Sequence, residues 1–141
     1  MERIFYFSED ISFQLNNEDV YSKWIHQVIQ KENNQLESLN YIFCSDQYLL
    51  KINKDFLEHD FFTDIITFNQ ADSPNIIEGE VFISIDRVRE NAVSLKKDFK
   101  EELSRVMIHG VLHLVGYDDK SDIQKEQMRK KEEACLSLQK F

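Results

Sequence analysis

Proline and glycine are scarce. A single proline, Pro74, and three glycines stand in the whole chain, which excludes collagen-like, proline-rich and other low-complexity classes. Cysteine is nearly as rare. Cys44 and Cys135 are far apart, show no CxxC or CxxH spacing, and fall in runs that read as strand and helix. Two buried, unreactive thiols are expected rather than a disulfide framework or a cysteine-built zinc ribbon. No stretch approaches the roughly 20 apolar residues of a membrane-spanning helix. Glu2 stands where a secretory leader carries basic charge, and the apolar run around Ile4 to Phe7 is short for a leader, so the expected location is the cytoplasm, with no membrane partner. Positive charge is short too: 17 Lys and Arg against 26 Asp and Glu leave a formal charge of -9. Such a surface does not adhere indiscriminately to nucleic acid. One local exception runs from Arg87 to Arg105, where Arg87, Arg89, Lys96, Lys97, Lys100 and Arg105 outnumber Glu90, Asp98, Glu101 and Glu102; mixed charges of this kind usually coat a solvated helix face.

What is present describes an ordinary globular chain. Its 141 residues are 42% hydrophobic and 30% charged, enough for one core and one domain over residues 1–141, with no linker to mark a boundary. Residues 3–7 read as a strand. Val20, Trp24, Ile25, Val28 and Ile29 then recur at helical spacing after a cap at Asn16 or Asn17. Leu39 to Cys44 is strand-like, and Asp46 caps a helix carrying Leu49, Leu50, Ile52 and Phe56. Two further strands follow, Asp64 to Phe68 and Glu80 to Ile85. From Asp86 the period turns helical: Val88, Ala92 and Leu95 share one helix, while Leu103, Val106, Met107, Val111 and Leu114 share a second that Gly116 ends. Ser121 and Gln124 form a capping box opening a last helix to about residue 138. The order β-α-β-α-β-β-α-α-α predicts an α+β fold, with helices packed on one small mixed sheet.

Chemistry concentrates at His109-Gly110-Val111-Leu112-His113-Leu114-Val115-Gly116-Tyr117-Asp118-Asp119. At 3.6 residues per turn, His109 and His113 stand one above the other on a single helix face and can share one ion. Alone, such a pair is more often an ordinary pair of helical side chains. Gly116 can adopt the left-handed backbone that reverses the chain, bringing Asp119 back as an oxygen ligand, with Asp118 as the alternative if the turn is tighter. Two nitrogens and one carboxylate suit a single zinc ion with its fourth position open for water, whose pKa then falls to about 7; the same set also suits non-haem iron. Gly110 occupies the position where zinc peptidases of the HExxH type place their general-base glutamate, which weighs against peptidase chemistry.

The segment HGVLHLVGYDD resembles the signature of the YbeY family, single-strand-specific metallo-endoribonucleases implicated in ribosomal RNA maturation. Thr63-Asp64-Ile65-Ile66-Thr67-Phe68 is similar to that family's T-D-V-L-S-F strand, and Gly79-Glu80-Val81-Phe82-Ile83-Ser84 to its G-D-I-x-I-S strand. The similarity runs from about Ile52 to Glu133. It implies an α+β fold with the metal site at one end and a metal-dependent hydrolase, a zinc endoribonuclease on single-stranded ribosomal RNA. It further implies the ribosome or its assembly factors as partners, and no DNA. The chain departs from the family in two places. Asp119 stands where the family has a third histidine, and Leu57 stands where an N-x-x-Y-R-x-x-D segment carries an arginine. His59, two residues on, is the candidate to contact phosphate or shuttle a proton, against the plainer possibility of an exposed loop histidine. Phe61 and Phe62 are candidates to stack bases, if they are not simply core. Two rivals are a ribosome-assembly binding protein whose metal only braces the fold, and a metal-dependent hydrolase of other substrates.

Overall fold

A computed structural model describes residues 3–141; Met1 and Glu2, and with them the acidic residue that speaks against a leader, lie outside the described residues. The elements follow the expected order: β1 (Ile4–Ser8), α1 (Glu18–Lys31), β2 (Gln35–Cys44), α2 (Asp46–Leu57), β3 (Ile65–Asn69), β4 (Ile76–Ser84), α3 (Ile85–Ser94), α4 (Phe99–Val115) and α5 (Asp122–Leu136). The strands make one four-stranded sheet in the order β1-β2-β4-β3. β1 with β2 and β2 with β4 are parallel, whereas β3 with β4 is antiparallel, so the sheet is mixed and the fold is α+β.

β2 and β4 occupy the middle of the sheet, and their C-terminal halves, Tyr41 to Cys44 and Val81 to Ile83, are continuously apolar because both faces are covered there. Successive side chains alternate faces. Ile77, Val81 and Ile83 of β4 join the main core with Leu39, Tyr41 and Phe43 of β2 and the buried faces of α1, α4 and α5. Leu49 and Ile52 of α2 instead meet Cys44, Ile66, Phe68 and Phe82 in a second cluster. Helices therefore flank the sheet on both sides, with α4 packed on β3 and β4.

Several boundaries differ from the sequence expectation for physical reasons. β2 begins at Gln35 rather than Leu39, because residues 35–38 pair with β4 before the β1 ladder starts at Leu39, and a register shift between Leu36 and Ser38 absorbs one extra residue. β4 begins at Ile76 and runs on through Gly79 to Ser84. Ser45, not Asp46, caps α2, its hydroxyl accepting from the Tyr48 N–H at 3.1 Å; Asp46 is the first helical residue, where its charge favours the helix N-terminus. Asn17 does open α1, but in a left-handed backbone and without a side-chain cap. Phe56 and Leu95 lie at helix ends and are exposed rather than core. Both cysteines are buried and form no disulfide, as expected; burial is the first cause pushing Cys44 up to about 12 and Cys135 up to about 11. None of the described helices is long and apolar enough to cross a membrane.

Candidate metal centre

α4 carries Arg105, His109 and His113 at four-residue intervals, so the three stack along one face. The opposite face is buried through Leu103, Met107 and Val111. Gly110 sits against the sheet: a Cβ there would lie 2.8 Å from Val81 Cγ1 and 3.1 Å from Ile65 Cδ1. The glycine lets α4 lie close on β4. A glutamate at this position would point into the sheet and not toward the histidines, which gives the missing HExxH residue a structural reason.

The turn after α4 has the paired bonds that end a helix on a left-handed residue. Gly116 N–H donates to His113 O at 3.1 Å, Tyr117 N–H donates to Leu112 O at 3.0 Å, and Gly116 adopts φ 128°, a region costly for any residue with a Cβ. The reversed chain is pinned by Tyr117, whose hydroxyl donates to Glu32 Oε1 at 2.8 Å, while Lys131 Nζ of α5 donates to Glu32 Oε2 at 2.7 Å. Asp119 thereby returns over the histidines. Its Oδ2 lies 3.3 Å from His109 Nε2 and 3.6 Å from His113 Nε2. Ligand atoms of all three residues fall within 4.8 Å of one another, and among the described residues they form the group able to hold a metal ion. Donors bound at about 2.0–2.1 Å around a tetrahedral ion stand about 3.3–3.4 Å apart, so the Asp119 oxygen already sits at nearly bonding-sphere separation from both imidazoles. The donor chemistry and the spacing fit a first-row divalent cation. Asp118, the alternative ligand, is exposed and outside the group.

The three residues open onto a cavity of about 420 Å³ that Thr63, Asp64, Thr67 and Arg105 also line. Burial lowers the His113 pKa, reinforced by His109 and opposed by Asp119 and Asp118; the neutral, ligating form of the ring is favoured. Burial likewise raises the Asp64 carboxyl, against the opposing pull of Arg105 and His109.

Behind the histidines lies a network that the sequence reading did not single out. His109 Nδ1 is 2.5 Å from Glu132 Oε2, Arg105 Nη1 donates to Glu132 Oε1 at 3.3 Å, and Arg105 also forks onto both oxygens of Glu102 at 3.0 and 2.6 Å. Asp64 Oδ2 approaches Arg105 Nη2 at 3.7 Å. Hydrogen bonding to Glu102 is the first cause raising Arg105 further above its usual value. Two signals were available: Arg105 precedes His109 by one helical turn, and Glu132 lies in line with buried Met128 and Cys135 on α5.

His59 is not brought to this cavity. It lies exposed on the loop after α2, its ring stacked on Phe61 at 5.1 Å. Phe61 and Phe62 are not core, being 56% and 45% exposed, and Arg87 stands over the Phe62 ring at 5.3 Å. Leu57 ends α2 half exposed.

Comparison with known proteins accords with this arrangement. The chain is 51% identical over 140 residues to the Endoribonuclease YbeY of Cytophaga hutchinsonii, covering 99% of this chain and 98% of that one. It is 55% identical over 129 residues to its counterpart in Amoebophilus asiaticus, covering 92% and 88%. A solution structure of a Thermotoga maritima protein superposes with a TM-score of 0.67 at 26% identity, covering 96% of this chain and 87% of that one. The family model described as Endoribonuclease YbeY matches residues 5–140, and the chain belongs to that family.

Proposed function

We propose that this protein is a zinc-dependent endoribonuclease that cuts single-stranded RNA during ribosomal RNA maturation in the cytoplasm, working at the ribosome or with its assembly factors. The observation that carries the proposal is the meeting of His109 Nε2, His113 Nε2 and Asp119 Oδ2 at the wall of an open, polar cavity. A purely structural ion would be closed off by a fourth protein ligand, and the described residues offer three. The names of the relatives, endoribonucleases throughout, support RNA as the substrate.

In this account His109, His113 and Asp119 hold one zinc ion, which when bound supplies Lewis acidity toward a phosphodiester and toward water. The remaining work belongs to the chain. Asp119 offsets one positive charge of the cation. Arg105 is engaged by Glu102, Glu132 and Asp64, so it braces the wall of the cavity and leaves phosphate contact to others. His59, on the exposed loop two residues past Leu57, which has displaced the family arginine, is the residue proposed for that contact or for moving a proton. The exposed faces of Phe61 and Phe62 serve unpaired bases, which stack on aromatic rings at roughly 1–3 kcal/mol each, whereas a duplex keeps its bases to itself; this is the source of the single-strand preference. The test is cleavage of matched single-stranded and duplex RNA by zinc-loaded protein, by chelated protein and by His113→Ala. The expected result is cutting of the single strand by the loaded wild type alone. Undiminished cutting after chelation and in His113→Ala ends the nuclease assignment. A folded, zinc-loaded protein that melts lower on chelation but never cuts RNA would identify a binding protein instead.

A further inference from the structure

A buried carboxylate in the apolar stripe of a helix is expensive unless it is paired, because desolvating an ion costs several kcal/mol. Glu132 is such a residue. It is 5% exposed and lies between Met128 and Cys135 on the inward face of α5. The helix is held there from both sides: Trp24 Nε1–H of α1 donates to Cys135 O at 2.8 Å, and Lys131 reaches Glu32 at 2.7 Å. Both Glu132 oxygens are in use, Oε1 accepting from Arg105 Nη1 at 3.3 Å and Oε2 lying 2.5 Å from His109 Nδ1. Arg105 does not depend on Glu132, since Glu102 already binds its guanidinium in two places. The contact to His109 is therefore the one that Glu132 alone provides.

We propose that Glu132 is the positioning residue of the metal centre: it fixes His109 as the Nδ1–H tautomer and so dedicates Nε2 to the cation. This rests on the proposed role of His109 as a metal ligand. The argument is one of donors and acceptors. An ionised carboxylate only accepts, so the hydrogen must sit on Nδ1. A neutral imidazole then has its lone pair on Nε2, the atom that faces Asp119 Oδ2 at 3.3 Å. Partners of this kind orient ligand imidazoles and increase their basicity, and losing one typically weakens metal binding about 10- to 100-fold.

Replacing Glu132 with glutamine sharpens the test, because the amide has one acceptor and one donor end where the carboxylate has two acceptors. The guanidinium of Arg105 can only donate, so the amide oxygen must turn to it. The NH₂ group is then left facing His109 Nδ1, which can receive it only as the Nε2–H tautomer, with its lone pair turned away from the cation. The variant is nearly isosteric, yet it inverts the ring's donor and acceptor ends. A role confined to packing would not do so.

The experiment has two readouts on wild type and Glu132→Gln. Ring ¹⁵N shifts of His109 in metal-free protein at about pH 9, well above an ordinary histidine pKa, report the tautomer. Competition with a chromophoric chelator reports zinc affinity. The expected results are Nδ1–H in the wild type, Nε2–H in the variant, and affinity weaker in the variant by about 10- to 100-fold. A wild-type ring in the Nε2–H form overturns the proposal and needs no variant. So does a folded variant whose tautomer and affinity match the wild type. A wild type that binds no zinc at all removes the metal assignment itself, and is distinguished by absent binding in both proteins.

Discussion

The close approach of α4 to the sheet at Gly110 can be tested as a coupling between two residues. Gly110→Ala adds a methyl 2.8 Å from Val81 Cγ1 and 3.1 Å from Ile65 Cδ1, inside the main core where Val81 is fully buried. Overfilling a packed site costs roughly 1–3 kcal/mol, and the gain in helix propensity from glycine to alanine returns about 1 kcal/mol. The single variant should therefore lose on the order of 1 kcal/mol, the balance of these two opposing effects. Val81→Ala removes two buried methyl groups and should lose about 2–3 kcal/mol by transfer and cavity effects. In the double variant the new Cβ occupies space that Val81 has vacated, so the loss should fall short of the sum by about 1–2 kcal/mol, well beyond the roughly 0.5 kcal/mol that separates independent sites. Urea unfolding of the four proteins gives the cycle, with constant m-values showing that the transitions remain comparable. Zinc affinity should follow the same pattern, falling when α4 is pushed off β4 and recovering in the double variant. Additive losses would refute the claim that this contact determines how α4, and with it the histidine pair, is seated.

Gly116→Ala meets no neighbouring atom within 4 Å, yet must hold φ 128°; strain of roughly 1–2 kcal/mol less the gain from a stiffer unfolded chain leaves a loss near 1 kcal/mol, visible as a Tm drop of about 3–4 °C, and zinc affinity should fall with it because Asp119 depends on this turn. Alkaline pH should destabilise the protein through Cys44. Its thiol is held protonated up to about 12 in the fold against 9.0 unfolded, so above pH 9 the unfolded state releases the proton first. Stability is then full below that value and lost as pH rises, by about 1.4 kcal/mol at pH 10; urea unfolding of wild type and Cys44→Ala at pH 7 and 10 checks this, and an equal pH dependence in both would refute it. Asp119→His, which restores the third imidazole of the family pattern, should keep zinc bound, whereas Asp119→Ala should weaken it sharply in a chelator competition.

The parts of the site that the sequence revealed are those set by local geometry. His109 and His113 share a face because a helix repeats every 3.6 residues, and Gly116 returns Asp119 because a glycine after a helix reverses the chain; both need only neighbouring residues. Glu132 was not legible in the same way. Its distance from His109 depends on how α5 docks, and that is settled by Trp24, Lys131 and the core. Its place in line with Met128 and Cys135 was a signal that a charge lay on a buried face, but carried no word of its partner. The aromatic residues at the end of α2 went the other way. Phe56 has the spacing of a core residue and is nevertheless 69% exposed, because α2 ends at Leu57 and Phe56, in its last turn, meets the sheet through an edge contact with the Phe68 ring at 6.1 Å. Apolar periodicity names a face; it does not say how much packs against it.

X-ray absorption at the zinc edge of the purified, zinc-loaded protein tests the central claim most directly. Two imidazoles and one carboxylate oxygen, completed by a light-atom ligand from solvent and lost together in His109→Ala and His113→Ala, are the predicted result. A spectrum without histidine scattering, or one with four protein ligands, would contradict it.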